Sequence, residues 1–327
     1  MISSLASLAD RNFIAGFLLP VILALVCFLF VFQDVSPLGA LWTKLTDAQG
    51  LEAITLVLLA MWAAALLLSL LNSLLYRTLQ GYIGPLAGSS SPRQKQKQRD
   101  WRERSLALNV QFTAAEPTAH GSKERLDYLA SNRQFIRDYP PYKQVLPTRF
   151  GNVIRASEMY SLQTYGVDSI AAWVRLVGII PADYRASIDN ARADMDFFVN
   201  IMVLSLLVGT MSLLAVLAVP VFCAFVNCYD FFGFSFWRRL ISAVVLGLTA
   251  CFAYEAAIDR ARAWGEIVRG GFDLYLPDLA KQLGYDMPPT LAERREFWGA
   301  LNGLFLDWTA VHPERWPPAK NDSPNPK

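Results

Sequence analysis

Polar side chains inside the long apolar segments are the residues of this sequence whose types could do chemistry. A charge or an amide in hydrocarbon is costly, and such residues often mark a binding or conduction path. They could line a pore built from several subunits, or they could join helices by hydrogen bonds. These candidates for a pore or a helix interface are Asn72, Asn200, Ser205, Thr210 and Glu255.

Each of these residues also has a simpler structural explanation. Asn72 and Asn200 lie near the ends of their apolar segments, where hydrogen bonds between helices would account for them. An ion pair with Arg77 or Arg262 would account for Glu255. The spacing of Asn200, Ser205 and Thr210 is nevertheless interpreted as a polar stripe on roughly one side of a helix, which motivates the pore hypothesis.

A basic run after the second apolar segment is the other candidate binding feature. Near a membrane surface, each Lys or Arg contributes about 1 kcal/mol to the binding of anionic headgroups. A plain solvated linker is the main alternative, and nucleic acid is disfavoured because no aromatic residues interleave with these bases. The candidates for lipid-headgroup contact are Arg93, Lys95, Lys97 and Arg99.

Signatures of catalysis are missing from the sequence. It contains no GxGxxG, GxxxxGK[ST], HExxH or GxSxG motif, and its four cysteines form no CxxC pair. The only histidines, His120 and His312, are far apart, and we expect Asp189, Asp194 and Asp196 to solvate a helix surface. The sequence therefore predicts a non-enzymatic protein without catalytic residues, metal or cofactor.

Four apolar segments are long enough to position the polar residues inside a membrane. Hydrophobic residues make up 54% of the chain, and they cluster in two pairs of runs separated by a polar middle. A run of about 20 apolar residues crosses the hydrocarbon core. We predict spans at about 13–32 and 54–75, within a first hairpin (1–87), and at about 197–220 and 240–257, within a second (196–258).

The remaining segments are expected to be helical or unstructured, since no convincing strand alternation occurs. The predicted order is a basic flexible linker (88–100), a helical region (101–195), C-terminal helices (259–312) and a disordered tail (313–327). One long helix is expected to run from Pro181 into the third span, and Gly270-Gly271 is expected to end the helix of the fourth. The fold class is thus all-α, an integral membrane protein with a cytosolic helical domain.

Small residues in the last two spans predict a close helix contact. Ser205 with Gly209, and Ala243 with Gly247, are spaced four apart, so that two helix backbones could approach each other. This contact could lie within one hairpin or between two subunits.

Lysines and arginines predict the orientation. The segment after the second span is strongly basic, whereas the loop between the first two spans carries mainly acids. The positive-inside rule then places the middle region and both termini in the cytosol. Arg238 and Arg239 oppose this assignment, because they fall on the outer side of the fourth span.

Three short motifs carry a family resemblance. At residues 11–20 (RNFIAGFLLP), 146–152 (LPTRFGN) and 271–275 (GFDLY), the chain resembles a family of uncharacterised bacterial multi-span membrane proteins. The resemblance implies a location in the bacterial inner membrane and implies no activity.

The leading hypothesis is a membrane scaffold or sensor whose cytosolic helical module receives a partner or a signal. It is motivated by a soluble part with five tryptophans, more than a simple anchor needs. The alternative is a homo-oligomeric pore or channel gated from the cytosolic side. The expected partners are membrane lipids, a cytosolic protein and further copies of the chain.

Overall fold

The computed structural model describes residues 10–35, 38–46, 51–84, 92–114, 123–226 and 234–306. Regular structure in these residues is helical, and they contain no strand. We number the helices α1 to α10 in chain order. Their bounds are α1 Arg11–Val31, α2 Leu38–Thr46, α3 Leu51–Gln80, α4 Pro92–Ala114, α5 Lys123–Asp138, α6 Arg149–Tyr165, α7 Ser169–Ile179, α8 Ala182–Val226, α9 Phe234–Gln282 and α10 Leu291–Leu306.

Four helices contain segments long and apolar enough to cross a membrane, as the sequence predicts. These segments are Arg11–Val31, Ile54–Gln80, Ala182–Ala218 and Phe234–Gln282. The chain divides into two compact units. Unit 1 covers Met1–Leu75 and Asp189–Arg260, and unit 2 covers Tyr76–Ile188 and Ala261–Lys327.

The interior of unit 1 is apolar where α1 meets α3. Phe17, Val21, Ala65 and Leu68 are buried together. Helix α1 contains a π-helical turn over Ile14–Leu18, which ends two residues before Pro20. A proline inside an apolar helix removes a backbone donor, and a local π adjustment is one way to accommodate it.

The predicted small-residue contact is confirmed within the chain. A Cβ atom added to Gly209 of α8 would lie 3.3 Å from the Cβ of Leu246 and 3.7 Å from the carbonyl oxygen of Ala243 in α9. Gly247 has open space at the same level, since nothing lies within 4 Å of an added Cβ. Gly209 is therefore the residue that lets the two helices approach closely.

Arg238 and Arg239, which oppose the predicted orientation, are ion-paired in unit 1. Both guanidinium groups bind the carboxylate of Asp34, and Arg238 Nε also donates to the carbonyl oxygen of Val31 at 3.2 Å. Val31 ends α1, so Arg238 lies against a carbonyl at a helix C-terminus, where positive charge is favourable. Their presence at the start of α9 thus has a local structural reason.

The interior of unit 2 is built from α6, α7, α10 and the C-terminal part of α9. Its largest fully buried side chains include Trp298, Phe297, Phe272 and Leu176.

The turn after α6 is held by Asn302. Its Nδ2 donates to the carbonyl oxygen of Gly166 at 2.6 Å, and its Oδ1 accepts from the N–H of Asp168 at 2.9 Å. A capping box opens α10, with reciprocal hydrogen bonds between Thr290 and Glu293.

Two predicted helix boundaries are wrong. Residues 92–100 were predicted to be a flexible linker, but α4 begins at Pro92, a residue type favoured in the first helical turn. Gly270-Gly271 does not end α9, which continues to Gln282. A Cβ atom at Gly270 would lie 2.7 Å from the hydroxyl oxygen of Tyr184, so close packing accounts for this glycine.

Other predictions have different outcomes. The long helix that was expected to start after Pro181 is confirmed as α8. Helix α2, between the first two spans, was not predicted. The predicted disordered tail (313–327) and residues 88–91 of the predicted linker lie outside the described residues.

Candidate functional site

The predicted polar residues of the spans fall into two groups. Asn72, Asn200 and Ser205 are buried, whereas Thr210 and Glu255 are exposed. Asn200, Ser205 and Thr210 therefore do not form one stripe, because a spacing of five residues turns a helix by about 140° at each step. Their role in a pore stays a prediction that flux through liposomes would test.

Asn200 meets a main-chain carbonyl of α1. Its Nδ2 donates to the carbonyl oxygen of Gly16 at 2.7 Å, and its side chain is fully buried. In a regular α-helix this carbonyl would accept from the N–H of residue 20, which is Pro20 and has none. The amide of Asn200 thus satisfies a carbonyl that the proline leaves without its usual donor.

Asn72 binds a carboxylate that the sequence reading assigned to a solvated surface. Its Nδ2 donates to Asp196 Oδ1 at 3.2 Å, and the two residues are only 8% and 5% exposed. The expectation that Asp196 faces water is wrong. Its spacing of four residues from Asn200 places both side chains on one face of α8, which is a signal that the sequence carries. We call Asp196, Asn72, Asn200 and the carbonyl of Gly16 the carboxamide cluster.

A basic cavity of about 310 Å³ lies in unit 2. Four cationic side chains and two carboxylates line it, together with aromatic and amide groups. The lining residues are Lys97, Asp100, Trp101, Arg104, Gln134, Asp138, Tyr139, Arg149, Asn152, Val153 and Arg262. One helix, α4, contributes Lys97, Asp100, Trp101 and Arg104, whose spacing of three and four residues puts them on one face.

Buried hydrogen bonds hold the walls of the basic cavity. Arg262 donates from Nε and Nη2 to the two carboxylate oxygens of Asp138, each at 2.7 Å. The buried amide of Asn152 bonds to both the N–H and the carbonyl oxygen of Leu146. Helix α4 is tied down by Gln98, whose Nε2 donates to the carbonyl oxygen of Pro140 at 2.6 Å. These contacts make the cavity a shaped feature of unit 2.

Aromatic rings add an apolar surface to the basic cavity. The rings of Trp101 and Tyr139 lie 6.2 Å apart, centroid to centroid. Burial raises the pKa of Tyr139, and the nearby carboxylate of Asp138 raises it further, while Arg149 opposes both. The phenol therefore stays neutral and can donate a hydrogen bond at neutral pH.

The four residues predicted to contact lipid headgroups separate in the structure. Lys97 lines the basic cavity. Lys95 and Arg99 lie over the ring of Tyr142, at 5.7 and 4.9 Å from its centroid, and Arg99 also bonds to its hydroxyl. Arg93 is exposed and does not line the cavity. Only Lys97 is thus placed with the other cations of unit 2 that could bind an anion together.

An apolar groove of about 280 Å³ is a further concave feature of unit 2. Trp173, Trp264 and Phe272 line it, and at its edge Ile170 and Val174 of α7 are 64% and 79% exposed. The structure buries only the opposite face of α7, through Ala172 and Leu176. A further apolar surface therefore remains uncovered in this chain.

The basic cavity was missed from the sequence because two of its α4 residues, Lys97 and Asp100, were assigned to a linker, apart from Trp101 and Arg104 in the predicted helical region. A helix beginning at Pro92 would have grouped Lys97, Trp101 and Arg104 on one face, whereas Asp138, Arg149 and Arg262 are distant in sequence. No protein-family model, no curated protein and no solved structure matches this chain. The carboxamide cluster and the basic cavity are therefore defined by their own geometry.

Proposed function

We propose that this chain is a non-enzymatic membrane protein whose unit 2 receives a signal by binding a small anionic ligand that carries a phosphate group. The basic cavity is the observation that carries this proposal. Four cations line it against two carboxylates, and one of these carboxylates, Asp138, already accepts two hydrogen bonds from Arg262. The lining thus carries more positive than negative charge around one cavity.

The chemistry of the donors fits a phosphate group. Guanidinium groups present several N–H donors in a planar fork that matches phosphate oxygens, and lysine adds a compact positive charge. Arg104 and Lys97 are exposed on α4, so their heads can reach a ligand that enters from solvent. Asp100, the second carboxylate, accepts a hydrogen bond from Gln96 at 2.8 Å.

The size and the aromatic lining narrow the ligand further. A volume of about 310 Å³ is at the small end of ligand sites, which span roughly 300–1,000 Å³. Trp101 and Tyr139 supply surface for an apolar or planar part of the ligand. A small phosphate ester or the phosphate of an anionic lipid headgroup has this chemistry, and the two sources share the same binding groups.

The membrane setting of the proposal follows from the predicted topology. The basic run supports a cytosolic location for unit 2 in a bacterial inner membrane, because positive residues accumulate on that side. Binding of a cytosolic protein partner, and assembly with further copies of the chain, belong to the same proposal, in which the ligand would alter how unit 2 is recognised.

Ligand binding to the full-length protein in phosphatidylcholine nanodiscs tests the proposal. Titration calorimetry with inorganic pyrophosphate measures the soluble source. Native mass spectrometry of protein offered phosphatidylglycerol and phosphatidylcholine measures the lipid source. We expect saturable binding of one of these probes, and at least a tenfold loss of affinity in the Lys97→Gln/Arg104→Gln variant, since charge-assisted hydrogen bonds are lost.

Arg102→Gln is the matched control, because Arg102 is an exposed cation of the same helix that does not line the basic cavity. It should leave the affinity unchanged. The proposal is wrong if neither probe binds, or if Arg102→Gln weakens binding as much as the cavity variant does.

A further inference from the structure

Another cavity of unit 2, with a volume of about 650 Å³, is lined mainly by α5 and α9. Two cations, Arg133 and Arg269, and two carboxylates, Glu266 and Asp273, are part of its lining. It shares no lining residue with the basic cavity, in which positive charge prevails. We call it the α5–α9 cavity. Its balanced charges indicate a ligand of a different kind from the phosphate proposed above.

Arg269 is a buried cation of this cavity, and it is only 7% exposed. Its Nη1 is 3.7 Å from Glu266 Oε1, and its Nη2 is 3.4 Å from the carbonyl oxygen of Ile136 and 3.5 Å from the hydroxyl oxygen of Ser157. Its Nε has no hydrogen-bond partner among the described residues. Good N–H···O hydrogen bonds are about 2.7–3.2 Å long, and a buried charge is costly without them. The guanidinium group of Arg269 is therefore incompletely satisfied by the chain itself.

Asp273 is an exposed carboxylate of the same cavity with one oxygen in use. Its Oδ1 accepts from the hydroxyls of Tyr160 and Tyr165, each at 2.8 Å. Its Oδ2 accepts no hydrogen bond within the part of the chain that the structure describes. Because the two tyrosines hold Oδ1, the carboxylate has a defined position, and Oδ2 is left for a donor that enters the cavity.

Arg269 and Asp273 are neighbours of opposite charge that do not pair with each other. Their spacing of four residues puts them on one face of α9, where such residues commonly form ion pairs. Across the described ranges, the ion pair of Arg269 is instead with Glu266. Tyr160 contacts both residues, since its ring centroid is 5.5 Å from Arg269 Cζ and its hydroxyl donates to Asp273. The cavity thus presents a cation and a carboxylate that are close together but separate.

Apolar side chains of α5 form the opposite part of the lining. Leu129 and Ile136 are 48% and 46% exposed, and they lie seven residues apart, which places them on one face of the helix. Arg133, between them in sequence, is exposed and adds the second cation. This wall can therefore contact the apolar part and the anionic part of one molecule.

We propose that the α5–α9 cavity binds a zwitterionic α-amino acid with an apolar side chain. The carboxylate of the ligand pairs with the guanidinium groups of Arg269 and Arg133, and its ammonium group donates to Asp273 Oδ2. Its side chain lies against Leu129 and Ile136. A ligand with a single charge would leave either the cation or the carboxylate of the cavity without a partner. The volume is ample, since ligand sites span roughly 300–1,000 Å³.

Equilibrium binding of tritiated L-leucine to the full-length protein in phosphatidylcholine nanodiscs tests the proposal. Three unlabelled competitors each lack one part of the probe: 4-methylpentanoate lacks the ammonium group, 3-methylbutylamine lacks the carboxylate, and glycine lacks the apolar side chain. We expect saturable binding of L-leucine. Each competitor should displace it at least tenfold more weakly than unlabelled L-leucine does, because charge-assisted hydrogen bonds or apolar contacts are lost.

Two cavity variants and one control locate the site. Asp273→Asn removes the charge and keeps an oxygen for the two tyrosines, and it should weaken L-leucine binding at least tenfold. Arg133→Gln changes an exposed side chain, so it should leave folding intact and weaken binding about threefold or more. Asp278→Asn is the matched control, because Asp278 is an exposed carboxylate of α9 that does not line the cavity, and it should leave the affinity unchanged.

An absence of saturable L-leucine binding to the wild-type protein would overturn the proposal without requiring any variant to fold. Displacement by 4-methylpentanoate as strong as that by L-leucine would also overturn it, since the ammonium group would then not be recognised. So would equal losses of affinity in Asp273→Asn and Asp278→Asn. The Lys97→Gln/Arg104→Gln variant of the basic cavity should bind L-leucine with unchanged affinity, so the two ligand proposals can fail independently.

Discussion

Arg262 holds Asp138 by two parallel hydrogen bonds, from Nε to Oδ1 and from Nη2 to Oδ2, each 2.7 Å long. The two side chains are only 15% and 11% exposed. This geometry joins α9 to the last residue of α5 within unit 2 and forms one wall of the basic cavity. Because the pair is largely withdrawn from water, each partner depends on the other for its charge balance.

Replacing Arg262 by methionine should destabilise the protein by about 3 kcal/mol, because it leaves a buried carboxylate without its partner. Arg262→Lys should cost less, since it keeps the charge and loses only the bidentate fork. Thermal unfolding of the purified protein in detergent measures both. Arg260→Met is the control, as that pair with Asp194 is 3.8 Å long and about half exposed, so its loss should cost less than about 1 kcal/mol. Equal losses at the two arginines would contradict the prediction.

Gly166→Ala should destabilise the protein more than Gly284→Ala. Both glycines have a left-handed backbone, with φ of +80° and +89°, so alanine pays about 1 kcal/mol of strain at either position. At Gly166 the new Cβ would also lie 2.8 Å from the carbonyl oxygen of Arg295, whereas at Gly284 nothing lies within 4 Å. We expect a total of roughly 3 kcal/mol at Gly166. Melting temperatures of the two variants compare the effects, and equal shifts would refute the steric contribution.

Gly209→Ile should weaken the contact between α8 and α9, while Gly247→Ile should be tolerated. A Cβ at Gly209 already approaches Leu246 to 3.3 Å, and a larger side chain would force the helices apart, at a cost of about 2 kcal/mol. Gly247 has open space at its Cβ position. The apparent melting temperatures of the two variants in detergent check this. A greater loss at Gly247 would show that this residue contacts something beyond the chain, such as a second copy.

Two tyrosines predict how stability depends on alkaline pH. The hydroxyls of Tyr160 and Tyr165 both donate to Asp273 Oδ1 at 2.8 Å, and burial together with this carboxylate raises the pKa of each above the usual value of 10.0. The unfolded chain therefore loses these protons at lower pH than the folded chain does. Stability should be unaffected by them below about pH 9 and should fall as the pH rises through 10.

The Tyr160→Phe/Tyr165→Phe variant separates this titration from the other groups. At pH 8 it should be less stable than the wild type by about 2 kcal/mol, because two hydrogen bonds to a carboxylate are lost. Between about pH 9.5 and 11, its melting temperature should fall less steeply than that of the wild type, since neither phenol remains to ionise. Parallel curves for the two proteins over this range would contradict the assignment.

The sequence by itself determined the features that depend on local composition. Long apolar runs predict the four helices that could cross a membrane, because about 20 apolar residues are needed for that and short core helices do not reach this length. The spacing of Thr290 and Glu293 predicts a capping box, since its hydrogen bonds join groups only three residues apart. The small residues Gly209 and Gly247 predict a close contact between two helices, but the sequence does not indicate which of the two glycines makes it.

Only the tertiary structure decided which distant residues meet. A run of Lys, Arg and Gln at 93–99 has the composition of a linker, yet contacts such as that of Gln98 with Pro140 hold it as a helix. Asp196 is of a charged residue type that usually lies on a solvated surface. It is nevertheless buried, and it binds Asn72, which is 124 residues away in sequence. The physical reason is that periodicity and propensity act over a few residues, whereas burial and hydrogen-bond partners depend on how helices pack, which local patterns do not specify.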